Sequence, residues 1–189
     1  MSHDIAQCSD GELAALALGG QQAAFREFLR RYKEPVYRVI RSNIGDADEA
    51  LDLTQEAFVA AFGALKKYDP ARPFRFWVMR IALNKCRDWS RRQGVRSFFR
   101  MARPIEEAFN LADDAPTPEA EAGDRAELAR VKQAIAILPH KLRQVLVLRA
   151  VEGLSQAEAA DALGVSGKTV ETRLYRARRQ LAESLAKKV

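Results

Sequence analysis

The residues best placed to do chemistry in this 189-residue chain are cationic and amide donors rather than a catalytic set. Arg80, Asn84, Arg87 and Arg91 recur every three or four residues within FRFWVMRIALNKCRDWSRR, residues 74–92. On a helix advancing 100° per residue they share one narrow arc. Phe74, Trp77, Val78, Ile81, Ala82 and Trp89 occupy another, mostly opposite one. Guanidinium groups with one amide, set behind an apolar stripe, suit a helix that docks on its own domain and faces a polyanion. A core helix with a solvated basic back has the same pattern, and the charge around it separates the two readings. From residue 72 to 103 the bases are Arg72, Arg75, Arg80, Lys85, Arg87, Arg91, Arg92, Arg96, Arg100 and Arg103, against the single acid Asp88. This local excess is larger than the +6 of the whole chain, so positive charge is concentrated here.

Other chemistries find no support. Asp52 and Glu56 lie four residues apart but have no histidine or nucleophile near them in sequence, which argues against acid–base catalysis. Cys8 and Cys86 are distant and His3 and His140 stand in no ligand spacing, so neither a metal site nor a disulfide framework is expected. No glycine-rich phosphate loop is present. The expectation is a protein with no catalytic residues, metal or cofactor. The N-terminus shows no secretory pattern and no apolar run reaches membrane-spanning length, which predicts a soluble, cytoplasmic protein.

The elements that position the basic helix read as helical throughout. Ser9 and Glu12 form a capping box ahead of Leu13, Leu16 and Ala17, and Gly19-Gly20 ends that helix. Phe25, Phe28, Leu29 and Tyr32 supply the core face of a second helix, with a new start or kink expected at Pro35 before Val36, Val39 and Ile40. Residues 48–65 form the next, with an apolar arc of Leu51, Phe58, Val59, Phe62 and Leu65. Asp52, Gln55 and Glu56 lie off the centre of that arc and Leu53 well outside it, either as a partner-docking patch or as ordinary surface. The basic, proline-punctuated loop 66–73 follows. Its Tyr68 is placed either to stack on unpaired bases or to pack on the helices.

Beyond Pro104 the character changes. Residues 104–124 hold Glu106, Glu107, Asp113, Asp114, Glu119, Glu121 and Asp124 with three prolines and no lysine or arginine, an acidic linker with a helical turn expected at Ile105–Phe109. A second domain then begins with Leu128, Val131, Ile135 and Leu138 on one helix, ending at Pro139. Leu142, Val145, Leu146 and Leu148 lie on another, ending near Gly153. Ser155 with Glu158 makes a capping box, Gly164 closes the alanine-rich helix, and Ser166 caps the next. This is a helix-turn-helix pattern. In its last helix Val170, Leu174, Ala177 and Leu181 face inward. Lys168, Glu171, Thr172, Tyr175, Arg176 and Arg179 face outward with donors for phosphates and base edges. The fold class is therefore all-α, with 1–98 as a first helical domain, 99–124 as linker and 125–189 as a helix-turn-helix domain.

Taken together, these segments resemble a bacterial RNA polymerase sigma factor of the extracytoplasmic-function group, and the resemblance covers nearly the whole chain. DLTQEAF at 52–58 is similar to the family's DLxQExF segment of region 2, and FWVMRIALN at 76–84 to its FxxWLxxIAxN segment. Leu138-Pro139, RQVLVL at 143–148, GLSQAE at 153–158, Thr169-Val170, Arg173-Leu174 and Ala177-Arg178 follow its region 4 pattern in order. The resemblance implies binding to core polymerase through Asp52, Leu53, Gln55 and Glu56. It implies recognition and melting of the −10 element through Tyr68, Arg75, Arg80, Asn84, Arg87 and Arg91. Double-stranded −35 DNA would meet Ser166, Lys168, Thr169, Glu171, Thr172, Tyr175, Arg176 and Arg179. It further implies a stress or envelope response, an inhibitory anti-sigma partner, and an acidic linker threading toward the polymerase active site. Ala159-Ala160 and Glu171 depart from the commoner Ile-Ala and Lys of relatives, which bears on the −35 sequence read. The alternative is a stand-alone two-domain regulator that binds DNA without polymerase.

Overall fold

A computed structural model describes residues 4–101 and 121–186, and among these there is no strand. The helices are α1 (Asp10–Leu18), α2 (Gln22–Ile44), α3 (Ala47–Gly63), α4 (Phe74–Met101), α5 (Glu121–Ala136), α6 (His140–Leu146), α7 (Gln156–Leu163) and α8 (Gly167–Ala186). The expected acidic stretch between α4 and α5, its turn at Ile105–Phe109 and the side chains of Phe98 and Phe99 lie outside the described residues.

Local chemistry sets the helix ends. The Ser9–Glu12 and Ser155–Glu158 capping boxes are both formed, each hydroxyl accepting from the N3 amide while the glutamate accepts from the cap amide. Gly164 closes α7 at φ 63°, a left-handed position open to glycine. Helix α2 continues through Pro35, so no new helix starts there. The ring removes one amide donor, but Val36, Val39 and Ile40 beyond it are fully buried, and that packing holds the helix together.

The first core joins α1 to α4. Phe28, Phe74 and Phe58 sit within it, and the Phe28 and Phe74 rings stack at 4.0 Å between centroids. The C-terminal helices bury Leu138, Leu142, Leu146 and Ala177 among themselves. A further apolar cluster crosses between the halves. Val39 of α2 and Met79 and Leu83 of α4 pack with Val145, Val147, Leu148, Leu154, Ala159, Ala162 and Val170. Helix α4 thus buries two faces, one toward each half of the molecule. A π-helical turn, Val147–Val151, follows α6 and leads to Glu152, whose carboxylate reaches Arg75 of the N-terminal half.

Candidate nucleic-acid and polymerase interfaces

Helix α4 is anchored at its start by the carboxylate of Asp10, which accepts from the Phe74 amide at 3.1 Å. Phe74, Val78 and Ala82 are fully buried in the first core, while Trp77, Ile81 and Trp89 are partly buried against it, as the periodicity predicts. Asn84, Arg87 and Arg91 are exposed. The other predicted cations of this helix are engaged. Arg75 donates to the Glu152 carboxylate at 3.3 Å, and Arg80 donates to the carbonyl of Asp161 in α7. Tyr68 is largely buried, its ring 5.4 Å from Phe74 and 5.5 Å from Trp77 and its hydroxyl donating to the Arg72 carbonyl, at the edge of the cleft that Phe76 and Trp77 line. Aromatic neighbours outcompete solvent for that ring, and burial pushes its phenol up to about 12. Phe76, to which the sequence reading gave no face, and Trp77, which it placed on the buried stripe, line a cleft of about 300 Å³ with Lys67, Tyr68, Arg72, Arg80 and Asp161. Rings and guanidinium groups around one cleft can hold unstacked bases.

On α3 the predicted docking residues separate. Asp52, Gln55 and Glu56 are exposed and line an open concavity with Val59, Ala60 and Lys85. Glu56 accepts from Lys85 at 2.9 Å. Leu53, expected at the surface, is only 2% exposed and belongs to the first core, whereas Val59, expected inside, is 72% exposed. The buried face is set by Ala50, Leu53, Thr54, Ala57, Phe58 and Ala61, because small side chains let α3 lie close against α2 and α4. Leu51 is likewise exposed rather than in the core. The apolar member of the surface patch is therefore Val59, with Leu51 nearby in sequence.

On α8 the sequence reading matches the arrangement well. Val170 and Ala177 are buried, and Lys168, Glu171, Thr172, Tyr175, Arg176 and Arg179 are exposed, Tyr175 at 68%. Ser166 accepts from the Thr169 amide at 3.2 Å and so acts as the helix cap, with Thr169 half-buried beside it. Glu171 pairs with Lys168 at 3.2 Å and Arg179 with Glu183 at 3.5 Å, exposed pairs of the kind that contribute little to stability. The Gln156 amide donates to the Gly167 carbonyl at 2.9 Å, tying α7 to the start of α8.

No group of three or more metal-ligating side chains forms among the described residues, and no helix there is long and apolar enough to cross a membrane. Cys86 is buried and its thiol is pushed up to about 12 by desolvation. His140 is pushed down, chiefly by burial and then by the charges of Arg143 and Arg87.

Comparison with known proteins agrees with this geometry. The Sigma-70 region 2 profile matches residues 28–96, which contain the α3 patch and the basic face of α4. The Sigma-70, region 4 profile matches residues 128–181, which contain the helix-turn-helix. The chain is 42% identical to RNA polymerase sigma factor CnrH of Cupriavidus metallidurans, covering 94% of each chain. It is 32% identical to ECF RNA polymerase sigma factor SigW of Bacillus subtilis, covering 88% of this chain and 91% of that one. A solved structure of CnrH in complex with the cytosolic domain of CnrY superposes with a TM-score of 0.68 at 37% identity, over 95% of this chain and 99% of that one. With both halves matched in order and the relatives aligned nearly end to end, the chain belongs to the sigma-70 family of RNA polymerase sigma factors, in its extracytoplasmic-function group.

Proposed function

We propose that this protein binds core RNA polymerase and directs promoter-specific transcription initiation, acting as a non-enzymatic factor in the cytoplasm. The observation that carries the reading is the placement of two cation-bearing helices, α4 and α8, in separate halves that match regions 2 and 4. A stand-alone regulator would account for α8 but not for the acidic and apolar concavity on α3, where Asp52, Gln55, Glu56 and Val59 form a surface suited to a partner protein.

In this reading the α3 surface docks on polymerase. Asn84, Arg87 and Arg91, with Arg75 and Arg80 once released, meet the −10 strand, and the cleft at Trp77 receives unstacked bases. Lys168, Thr172, Tyr175, Arg176 and Arg179 meet the −35 duplex, and Glu171 is positioned to accept from cytosine N4. Ser166 and Thr169 set the start of that helix. CnrH is seen in complex with the cytosolic domain of CnrY, which supports a protein partner for this chain too, here read as an anti-sigma factor. The test is transcription in vitro with purified core polymerase on genomic fragments, with and without the chain. New start sites sharing −10 and −35 elements are the expected result; DNA retardation without core binding or new start sites would replace this reading by the stand-alone regulator.

A further inference from the structure

Gly11 is the second residue of α1, and its backbone is ordinary helix, so no positive φ calls for glycine there. Glycine weakens a helix relative to alanine, and the position needs another explanation. Space supplies it. A Cβ added at Gly11 would stand 3.2 Å from the Cβ of Pro70 and 3.8 Å from the Pro70 carbonyl oxygen. Pro70 belongs to the loop between α3 and α4, and it rests on α1 where Gly11 carries no side chain.

That loop is tied to itself. The Tyr68 hydroxyl donates to the Arg72 carbonyl. The Asp69 carboxylate accepts from the Ala71 amide at 3.0 Å, and the Asp69 carbonyl accepts from the Arg72 amide at 3.0 Å. Asp69 and Arg72, which flank Pro70, both line the aromatic cleft. A displacement of Pro70 is therefore passed on to the cleft wall, because these bonds keep residues 68–72 moving together. Phe76, Trp77 and Arg80 supply the α4 side of the lining. The start of α4 is fixed in turn by Asp10, whose carboxylate accepts from the Phe74 amide at 3.1 Å. Two successive residues of α1 thus hold both elements that build the cleft, Asp10 the helix and Gly11 the loop.

We propose that Gly11 is a positioning residue for the binding of unpaired bases: by leaving room for Pro70, α1 sets how the loop wall stands relative to Trp77. The inference rests on the reading of this cleft as the place that receives unstacked bases. A side chain at position 11 must displace either α1 or Pro70. Helix α1 is held by the buried Leu13, Ala14 and Ala17, whereas Pro70 is exposed, so it is Pro70 that gives way, by a few tenths of an ångström for a single methyl group. Contacts of a base with the cleft are sensitive on that scale, since a gap of about half an ångström already forfeits roughly a quarter of a van der Waals well.

The test uses holoenzyme assembled from core polymerase and the full chain. A random single-stranded DNA pool is enriched on wild-type holoenzyme, cleared of sequences that core alone retains, and labelled as the probe for fluorescence anisotropy. Gly11→Val is expected to weaken probe binding at least about fivefold, the lower end of one base–aromatic stacking contact, and Gly11→Ala to shift it in the same direction. Capture of core polymerase and the thermal midpoint of the free chain are expected to hold, since Pro70 yields in place of the core. Ala15→Val adds the same branched side chain at an exposed position of α1 and is expected to leave probe binding unchanged. Pro70→Gly removes the Cβ that Gly11→Ala would crowd, so in that background the effect of Gly11→Ala is expected to vanish. Unchanged probe binding in both Gly11 variants would overturn the proposal, as would a loss that persists with Pro70→Gly or that follows a lowered midpoint. Arg80→Ala separates this outcome from failure of the underlying reading, because it removes a cation from the cleft and leaves α1 intact. A pool that never enriches, or wild-type binding by Arg80→Ala, would take the base site away from the cleft and the role of Gly11 with it. Weakened binding by Arg80→Ala beside intact binding by the Gly11 variants fails the role of Gly11 alone.

Discussion

Asp10 and Phe74 stand 64 residues apart, and the carboxylate of the first accepts a 3.1 Å hydrogen bond from the amide of the second. The first residue of α1 thereby caps α4, the helix with the basic face. The same carboxylate accepts from the Tyr32 hydroxyl at 2.8 Å and pairs with Arg31 at 3.4 Å, so one side chain ties α1, α2 and α4 together. Asp10→Ala is expected to cost about 1–3 kcal/mol, since a cap is lost and the partly buried Tyr32 hydroxyl is left without its acceptor. Urea denaturation of the purified variant measures it, and a shift of only a few tenths would show that the cap is dispensable.

Acid stability reports on Glu27. Hydrogen bonds of 2.7 Å from both Arg30 and Arg31 hold its carboxyl down to about 2, from an ordinary 4.5. The folded chain therefore binds this proton less readily than the unfolded one. The stabilisation is fully present above about pH 4.5 and is lost as pH falls from there toward about 2. Urea midpoints measured across that range should fall less steeply for Glu27→Gln than for the wild type.

Two substitutions on α3 separate core from surface. Leu53→Ala removes a buried side chain and is expected to destabilise by about 2–5 kcal/mol. Val59→Asp places a charge on an exposed position and is expected to change stability by no more than about 0.5 kcal/mol while weakening capture of core polymerase. Co-purification with core enzyme distinguishes them; equal capture by Val59→Asp and wild type would remove this face from the docking surface.

On α8, Arg176→Ala should weaken binding to promoter duplex on every sequence and reduce the slope of log affinity against log salt by about 0.9 per lost phosphate contact. Glu171→Ala should instead change which base is preferred at one −35 position, with little loss of overall affinity. A selection from randomised −35 sequences reads both, and an unchanged preference for Glu171→Ala would place its side chain away from the bases.

The helix-turn-helix was legible in the sequence because its signals are local. Ser155 with Glu158, Gly164 and Ser166 each act within one turn, and all three fall where the spacing predicts. The faces of α3 and α4 were harder to read, for different reasons. On α3 the residues that settle the packing are Ala50, Ala57 and Ala61, whose small volume permits close approach but whose hydrophobicity is unremarkable beside Leu51 and Val59. On α4 the stripe that meets the first core was evident, but burial of Met79 and Leu83 depends on a second half of the chain that periodicity cannot register. Tyr68 was open to two readings, and its ring both packs on Phe74 and Trp77 and borders the cleft. Glu152 gave no signal at all, because its partners lie 114 and 77 residues away.

The cluster of Val39, Met79, Leu83, Val147 and Leu148 gives the contact between the halves a temperature dependence. Parting the halves would hydrate this apolar surface and raise the heat capacity. Apolar association weakens on cooling, so this contact contributes less to stability in the cold than it does as the chain warms.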